Sequence, residues 1–418
     1  MSTVPVPLRR PVVARDPSEP GRAATPLELL FDLVFVVAVA SNAAELHHGL
    51  SAGHLDTVVG YTLVWFAIWW AWMNYTWYAS AYDNDDVTFR VLTFVIMSGA
   101  LLLAAGVPDL FDDGQSTIVV AGYAVMRFAM VGLWLRVARG YPERRLTALW
   151  YAGGITVLQL LWIARLAVPE QWLLTTFLVL VAGELAVPVL AEVRHGYSPF
   201  HPHHIAERYG LLTIIVLGEV ILSAVLAIQQ AMGSGEEPPA SEGNGGHTAP
   251  YASAGPAEGL SWSVAPLVLG GLLIMFSLWW LYFSHRHVEL VENPRAVWLF
   301  GYGHLPIFAS AAAVGSALAA AVDVVSGAAA VTSRPVGVVL AVAVSVVVLT
   351  LAGLHALGRE HALRTMTPAL LVTLSCLLVA LLVPSMGWVV FLIGVVLVVD
   401  VGHRVAGTRE ETVSGAPA

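Results

Sequence analysis

Apolar residues fall in long unbroken runs, and polar residues gather between the runs. A helix that spans a bilayer needs about 20 mainly apolar residues. Twelve windows meet that pattern, at about 26–46, 57–79, 88–107, 117–137, 147–166, 171–191, 205–229, 262–283, 296–321, 335–356, 367–384 and 387–405. The last two are short and flank Pro384-Ser385-Met386-Gly387, which reads as a tight turn. The pattern predicts an all-α, polytopic helical membrane protein of about twelve transmembrane helices.

Polar stretches divide the chain. Residues 1–24, rich in Pro and Arg, read as a disordered cytoplasmic tail. Residues 25–230 form a first half of six to seven helices and 262–405 carry the remaining helices. Between them 231–261, rich in Gly, Pro, Ala and Glu, reads as a disordered external loop. Residues 406–418 form a second cytoplasmic tail, and 108–116 read as an acidic turn. A division into two six-helix repeats is suggested by Glu28 and Glu207 near the start of the first and seventh helices. Trp pairs at 69–70 and 279–280 in the second and eighth helices agree with it. Chance recurrence in a chain with 14 Trp is the competing explanation.

Composition supports the class. Hydrophobic residues make up 57% of the 418 and charged residues 12%, with mean hydropathy +0.75. A soluble domain carries about a quarter charged residues. All 20 basic residues are Arg. With the N-terminus in the cytoplasm, 17 lie inside, Arg165 and Arg334 lie outside, and Arg127 lies within a helix. This asymmetry supports the helix count and predicts that both termini are cytoplasmic. The net charge of −9 argues against a nucleic-acid partner. Cys376 is the one cysteine, so no disulfide framework or thiolate metal site is expected. No Walker A loop, GxSxG, HExxH or CxxC motif occurs.

Charges inside spans are costly and mark functional candidates. A middle layer comprises Arg127, Gln159, Glu184 and Glu219, where Arg127 can pair with either carboxylate. Ser223 and Gln230 extend a polar stripe that runs from Arg208 through Glu219. A cytoplasmic layer comprises Glu28, Asp32, Asn74, Tyr75, Tyr78, Asp83, Asp85, Asp86, Arg90, Glu207, Arg208, His285, Arg286 and His304. Thr25, Pro26 and Glu28 have capping-box spacing, so Glu28 has an ordinary explanation as a helix-start residue. Asp32 lies a turn deeper and needs a partner such as Arg90. The histidines at 195, 201, 203 and 204 complete no recognised metal spacing, and no metal or cofactor is expected. The aromatics of 69–78 and 279–283 read first as an interfacial belt and second as a box for an organic substrate.

Four segments carry a family resemblance. They are TPLELLFDLVFVVAVA at 25–40, WWAWMNYTWY at 69–78 leading into DNDD at 83–86 and Arg90, HIAERYGLLTIIVLGEVIL at 204–222, and WWLYF at 279–283. Together, over about residues 24–400, the chain resembles the bacterial low temperature requirement A family. The resemblance implies a multi-pass inner-membrane protein, with Glu28, Asp32, Asp83, Asp85, Asp86, Arg90, Glu207, Arg208 and Glu219 as motif residues. The family's name records a growth phenotype and implies no substrate. Three functional expectations stand beside one another. The first is a proton-coupled secondary transporter of a small solute. In that reading Glu219 and Glu184 carry coupling, Arg127 is the counter-ion, and the Glu28/Asp32/Arg90 layer gates the cytoplasmic side. The second is a non-catalytic sensor or scaffold, and the third an intramembrane lipid-modifying enzyme. The lipid bilayer is the expected partner in each.

Overall fold

The structure is a computed structural model. It describes residues 6–233, 264–284, 287–293, 296–356 and 362–414. Among these, helices are the only regular structure. They are α1 (Pro26–Ala52), α2 (Thr57–Tyr82), α3 (Val87–Ala105), α4 (Val107–Asp113), α5 (Thr117–Gly140), α6 (Arg145–Ala164), α7 (Leu173–His195), α8 (Pro202–Gly233), α9 (Ala265–Phe283), α10 (His287–Glu292), α11 (Val297–Ser326), α12 (Ser333–Ala356), α13 (Ala362–Leu382) and α14 (Met386–Ser414). Each of the twelve apolar windows holds one helix. Among the described residues nine helices are long and apolar enough to cross a membrane, by length and composition alone.

The two extra helices are short. α4 occupies the segment expected as a turn: Asp109 complements its first turn, and Gly114, at φ 71°, ends it in the left-handed region. α10 occupies a polar stretch between α9 and α11. Of the expected loop at 231–261, residues 231–233 finish α8 and the rest lies outside the described residues. His285 and Arg286, and the side chains of Ser223 and Gln230, also lie outside them.

Two compact units divide the chain. Unit 1 takes the described residues of Met1–Leu46, Asp56–Val216 and His285–Ala309, and unit 2 those of His47–Leu55, Leu217–Ser284 and Ser310–Ala418. In unit 1, α3 packs on α5, α5 on α6 and α6 on α7. Gly99 and Gly122 let α3 and α5 meet backbone to backbone: a Cβ on Gly122 would lie 2.6 Å from the Gly99 carbonyl. Small residues serve close helix approach where lipid supplies no hydrophobic drive. In unit 2, α9 packs on α14 and α12 on α13. Gly270 there abuts the backbone of Phe391.

α2 is the core of unit 1. Trp69, Trp70, Trp72, Tyr75 and Tyr78 are all buried, so the belt expected over 69–78 is interior. Rings large enough to fill helix interfaces bury 150–250 Å² each, and here neighbouring helices cover them. By contrast Trp279 and Trp280 of α9 are exposed. α1 shows the same inversion of polarity: Leu29, Leu30, Leu33 and Val37 point outward while Glu28, Phe31, Asp32 and Phe35 are buried.

The expected disordered N-terminal tail is anchored from residue 6 onward. Val87 N donates to Pro7 O at 3.1 Å and Arg15 N to Ala81 O at 3.0 Å. Arg10 N donates to Asp86 at 2.8 Å, and Val12 is buried. Composition pointed to disorder, but the strap satisfies backbone groups and charges at the α2–α3 corner. At the other terminus, residues through Ser414 continue α14.

Candidate functional site

Polar side chains of unit 1 form two buried centres. The first joins the start of α1 to the start of α8. Thr25 caps α1: Glu28 N donates to Thr25 Oγ1 at 3.3 Å, and Thr25 N donates back to Glu28 Oε2 at 2.9 Å. This is the expected capping box. Glu28 also does more. Its Oε1 lies 3.1 Å from Arg208 Nη1 and 3.2 Å from His204 Nε2. Asp32, one turn on, accepts from Arg208 Nη2 at 2.5 Å, from Arg208 Nε at 3.2 Å and from Trp72 Nε1 at 2.7 Å. Glu28, Asp32, His204 and Arg208 are each fully buried. One guanidinium thus holds two carboxylates that α1 presents on one face.

The partner of Asp32 is therefore Arg208 and not Arg90. Arg90 is exposed and pairs with Asp85 at 2.7 Å, one turn before it. Asp85 takes φ 47°, which turns the chain between α2 and α3. Asp86 caps α3 through Phe89 N at 2.7 Å and meets Arg136 at 2.5 Å. Asp83 ends α2, nearly buried; Asp85 N donates to it at 2.8 Å, and Arg15 stands 3.9 Å away. Burial pushes the Asp83 carboxyl up to about 6, and the charge of Glu28 adds to the effect. Glu207 accepts from Ala24 N at 3.2 Å. The fully buried His304 donates through Nδ1 to Phe300 O at 2.7 Å, and its ring lies 4.7 Å from that of Tyr209.

The second centre lies midway along the helices. Arg127 of α5 donates to Glu184 of α7 at 2.6 Å. Trp70 Nε1 donates to the same carboxylate at 2.9 Å and Tyr123 Oη at 3.2 Å. Arg127 and Glu184 are buried to within 1%. Gln159 of α6 is fully buried, and neither its amide nor Arg127 Nε and Nη1 meets a hydrogen-bond partner among the described residues. Glu219, expected in this layer, belongs to unit 2 and is half-buried.

Two cavities flank this centre. One, of about 960 Å³ counted with its mouth, is lined by Leu63 and Ala67 of α2, Tyr123 of α5, Trp162 of α6 and Phe177 of α7. The other, of about 600 Å³ on the same measure, is lined by Asn74 of α2, Trp134 of α5, Tyr151 of α6 and Glu192 of α7, with Trp298 of α11. Along four helices the order is therefore cavity, layer, cavity. Ala67, Trp70 and Met73 follow one another on α2, and Phe177, Glu184 and Pro188 on α7. At 1.5 Å per residue the layer is about 9 Å thick along α2.

The sequence reading passed over Glu192 and Tyr123, and took Trp70 and Trp72 only as members of the aromatic stretch 69–78. Glu192 falls one residue beyond the window ending at 191 and so was not among the charges counted inside spans. His204 read as part of a His-rich loop, although its spacing of four from Arg208 puts both on one helical face.

Buried ion pairs on lipid-length helices define this chain as a polytopic all-α membrane protein. The family model described as bacterial low temperature requirement A protein (LtrA) matches residues 23–401, and the chain belongs to that family. It is also similar to the uncharacterized protein RA0937 of Rhizobium meliloti (strain 1021), at 28% identity over 297 residues. That match covers 67% of this chain and 65% of the relative's own length.

Proposed function

We propose that this protein is a secondary carrier for a small solute in the bacterial inner membrane, coupled to protons. The observation that carries the reading is the order cavity, ion-paired layer, cavity within unit 1. A carrier needs a solute site reached alternately from two sides and a barrier that closes between them. The Arg127–Glu184 pair with Trp70 and Tyr123 is that barrier. Charged groups in such a place are costly, and a moving barrier gives them a use. The Arg distribution puts the Glu192 cavity on the cytoplasmic side.

Proton coupling is assigned to the Glu28/Asp32/His204/Arg208 centre. Two carboxylates face one guanidinium, and His204 beside Glu28 has the side chain best suited to exchange a proton near neutral pH. Buried Arg22 and nearby Asp83 are further charges close to Glu28.

Sided thiol labelling tests the carrier reading without knowledge of the solute. In a Cys376→Ala background, Leu63→Cys should react with a membrane-impermeant maleimide from outside the cell. Asn74→Cys should react only in inside-out vesicles. Labelling of both positions from one face would refute the arrangement. Coupling is read separately, as solute-driven acidification of proteoliposomes that Glu28→Gln slows.

A further inference from the structure

Glu192 is a buried acidic group that neither the barrier nor the coupling centre uses and that, unlike Asp86 with Arg136 and Asp400 with Arg404, has no ion-pair partner among the described residues. It is 8% exposed and sits in the wall of the 600 Å³ cavity. Among the described residues its short side-chain contacts are neutral: Tyr151 Oη donates to Oε1 at 2.9 Å, and the hydroxyl and backbone N–H of Ser198 face the same carboxylate. The field of Arg144 reaches it, but among the described residues no Arg or His closes to ion-pair distance. The Arg144 guanidinium lies instead against Gly196, so close that a Cβ there would collide with it. Buried charges in proteins are normally paired, so Glu192 calls for a cation from elsewhere.

The rest of the cavity says which kind. More than half of its lining residues are aromatic, including Trp77, Trp134, Tyr151, Trp298 and Tyr302. The rings are held in place: Trp134 stacks on Tyr151 with centroids 4.0 Å apart, Trp77 Nε1 donates to Tyr209 at 2.9 Å, and Tyr302 Oη donates to Leu185 O at 3.1 Å. Hard inorganic cations need six or more oxygen ligands, which this wall does not provide. Anions are repelled by Glu192. Aromatic rings around one carboxylate suit a soft, weakly hydrated organic cation, held by ring quadrupoles and one counter-charge.

We propose that this cavity binds a small organic cation, a quaternary ammonium or protonated amine about the size of choline, with Glu192 as its counter-charge. The proposal rests on the carrier reading, for which it names the solute class.

Choline is the probe, and 3,3-dimethylbutan-1-ol, its neutral isostere, is the control. Equilibrium dialysis of labelled choline against the purified full chain in detergent should show saturable binding. The isostere should compete about tenfold more weakly or worse, because it lacks the charge that the rings and Glu192 recognise. Glu192→Gln should weaken choline binding about tenfold or more and leave competition by the isostere unchanged. Should that variant not fold, Trp298→Leu, at a half-buried position, should weaken choline binding in the same direction. No saturable choline binding, equal competition by the isostere, or unchanged affinity in the Glu192 variant (or in the Trp298 variant where that one serves) would each overturn the proposal. Sided labelling without choline binding sinks the solute class and leaves the carrier. Choline binding without sided labelling does the opposite.

Discussion

Replacing Arg208 by Met removes the one guanidinium that Glu28 and Asp32 share. Both carboxylates are fully buried, and their remaining donors are Thr25, His204 and Trp72. Removing one partner of a buried ion pair costs about 3–5 kcal/mol, because the other charge stays behind uncompensated. Here two charges stay behind, so the upper part of that range applies. Asp32→Asn is the milder change. Trp72 Nε1 keeps a carbonyl acceptor, and Arg208 keeps Glu28 at 3.1 Å. Its cost is that of one weakened charge-assisted hydrogen bond, about 1.5–3 kcal/mol. The double variant Arg208→Met/Asp32→Asn leaves one stranded charge in place of two. It should be more stable than the sum of the single changes by about 1–3 kcal/mol. Equilibrium unfolding in mixed SDS and detergent micelles measures all three. If Arg208→Met destabilises no more than Asp32→Asn, or the two costs simply add, the centre is not organised around Arg208.

Trp70→Phe removes the 2.9 Å donor to Glu184 while keeping most of the ring volume, and should cost about 1–3 kcal/mol in the same assay. Gly122→Val drives a side chain into α3 and should abolish folding, read as loss of the monodisperse peak on gel filtration, whereas Gly153→Ala, with open space around it, should not. Asp83 carries a pH signature. Its folded-state value of about 6 lies above the ordinary 3.8, so the cost of its charge is fully present above pH 6, fades as pH falls from 6 to 3.8, and is absent below. Asp83→Asn should therefore be the more stable protein at pH 7.5, by roughly 1–3 kcal/mol after the loss of the distant Arg15, with the difference gone near pH 4. A difference independent of pH would contradict burial as the cause.

Helix positions were legible in the sequence because lipid demands long apolar runs, and each of the twelve windows holds a helix. The capping box at Thr25 was legible for a similar reason: its partners are three residues apart. The partner of Asp32 was not, since Arg208 is 176 positions away and Arg90 is nearer in sequence and of the same charge. Nor was the setting of Trp69 to Tyr78. A run of Trp and Tyr reads alike whether it meets headgroups or other helices, and only the packing of α2 decides. Glu192 shows a third kind of failure. Hydropathy ends the sixth window at residue 191, and the helix that fills it, α7, runs to His195. A carboxylate three residues short of the helix end was thereby left out of the charges counted inside spans.

Glu28 answers to two causes, and the two can be separated. As a cap partner it accepts from Thr25 N at 2.9 Å and from Thr25 Oγ1 at 3.0 Å. As a charge it meets Arg208 and His204. Gln at this position keeps the reciprocal hydrogen bonds of a capping box, so Glu28→Gln keeps the cap and removes the charge together with its ion pair to Arg208. Thr25→Ala removes the cap alone, at about 1 kcal/mol. With Asp32 still paired to Arg208, the neutral Gln leaves one carboxylate against one guanidinium, a balanced pair. Glu28→Gln should therefore cost less stability than Arg208→Met, although both remove the same 3.1 Å contact. Were the two equally damaging, the contact itself would be what matters. An asymmetry would show that the centre carries one negative charge more than its structure requires, the condition for a site that exchanges a proton.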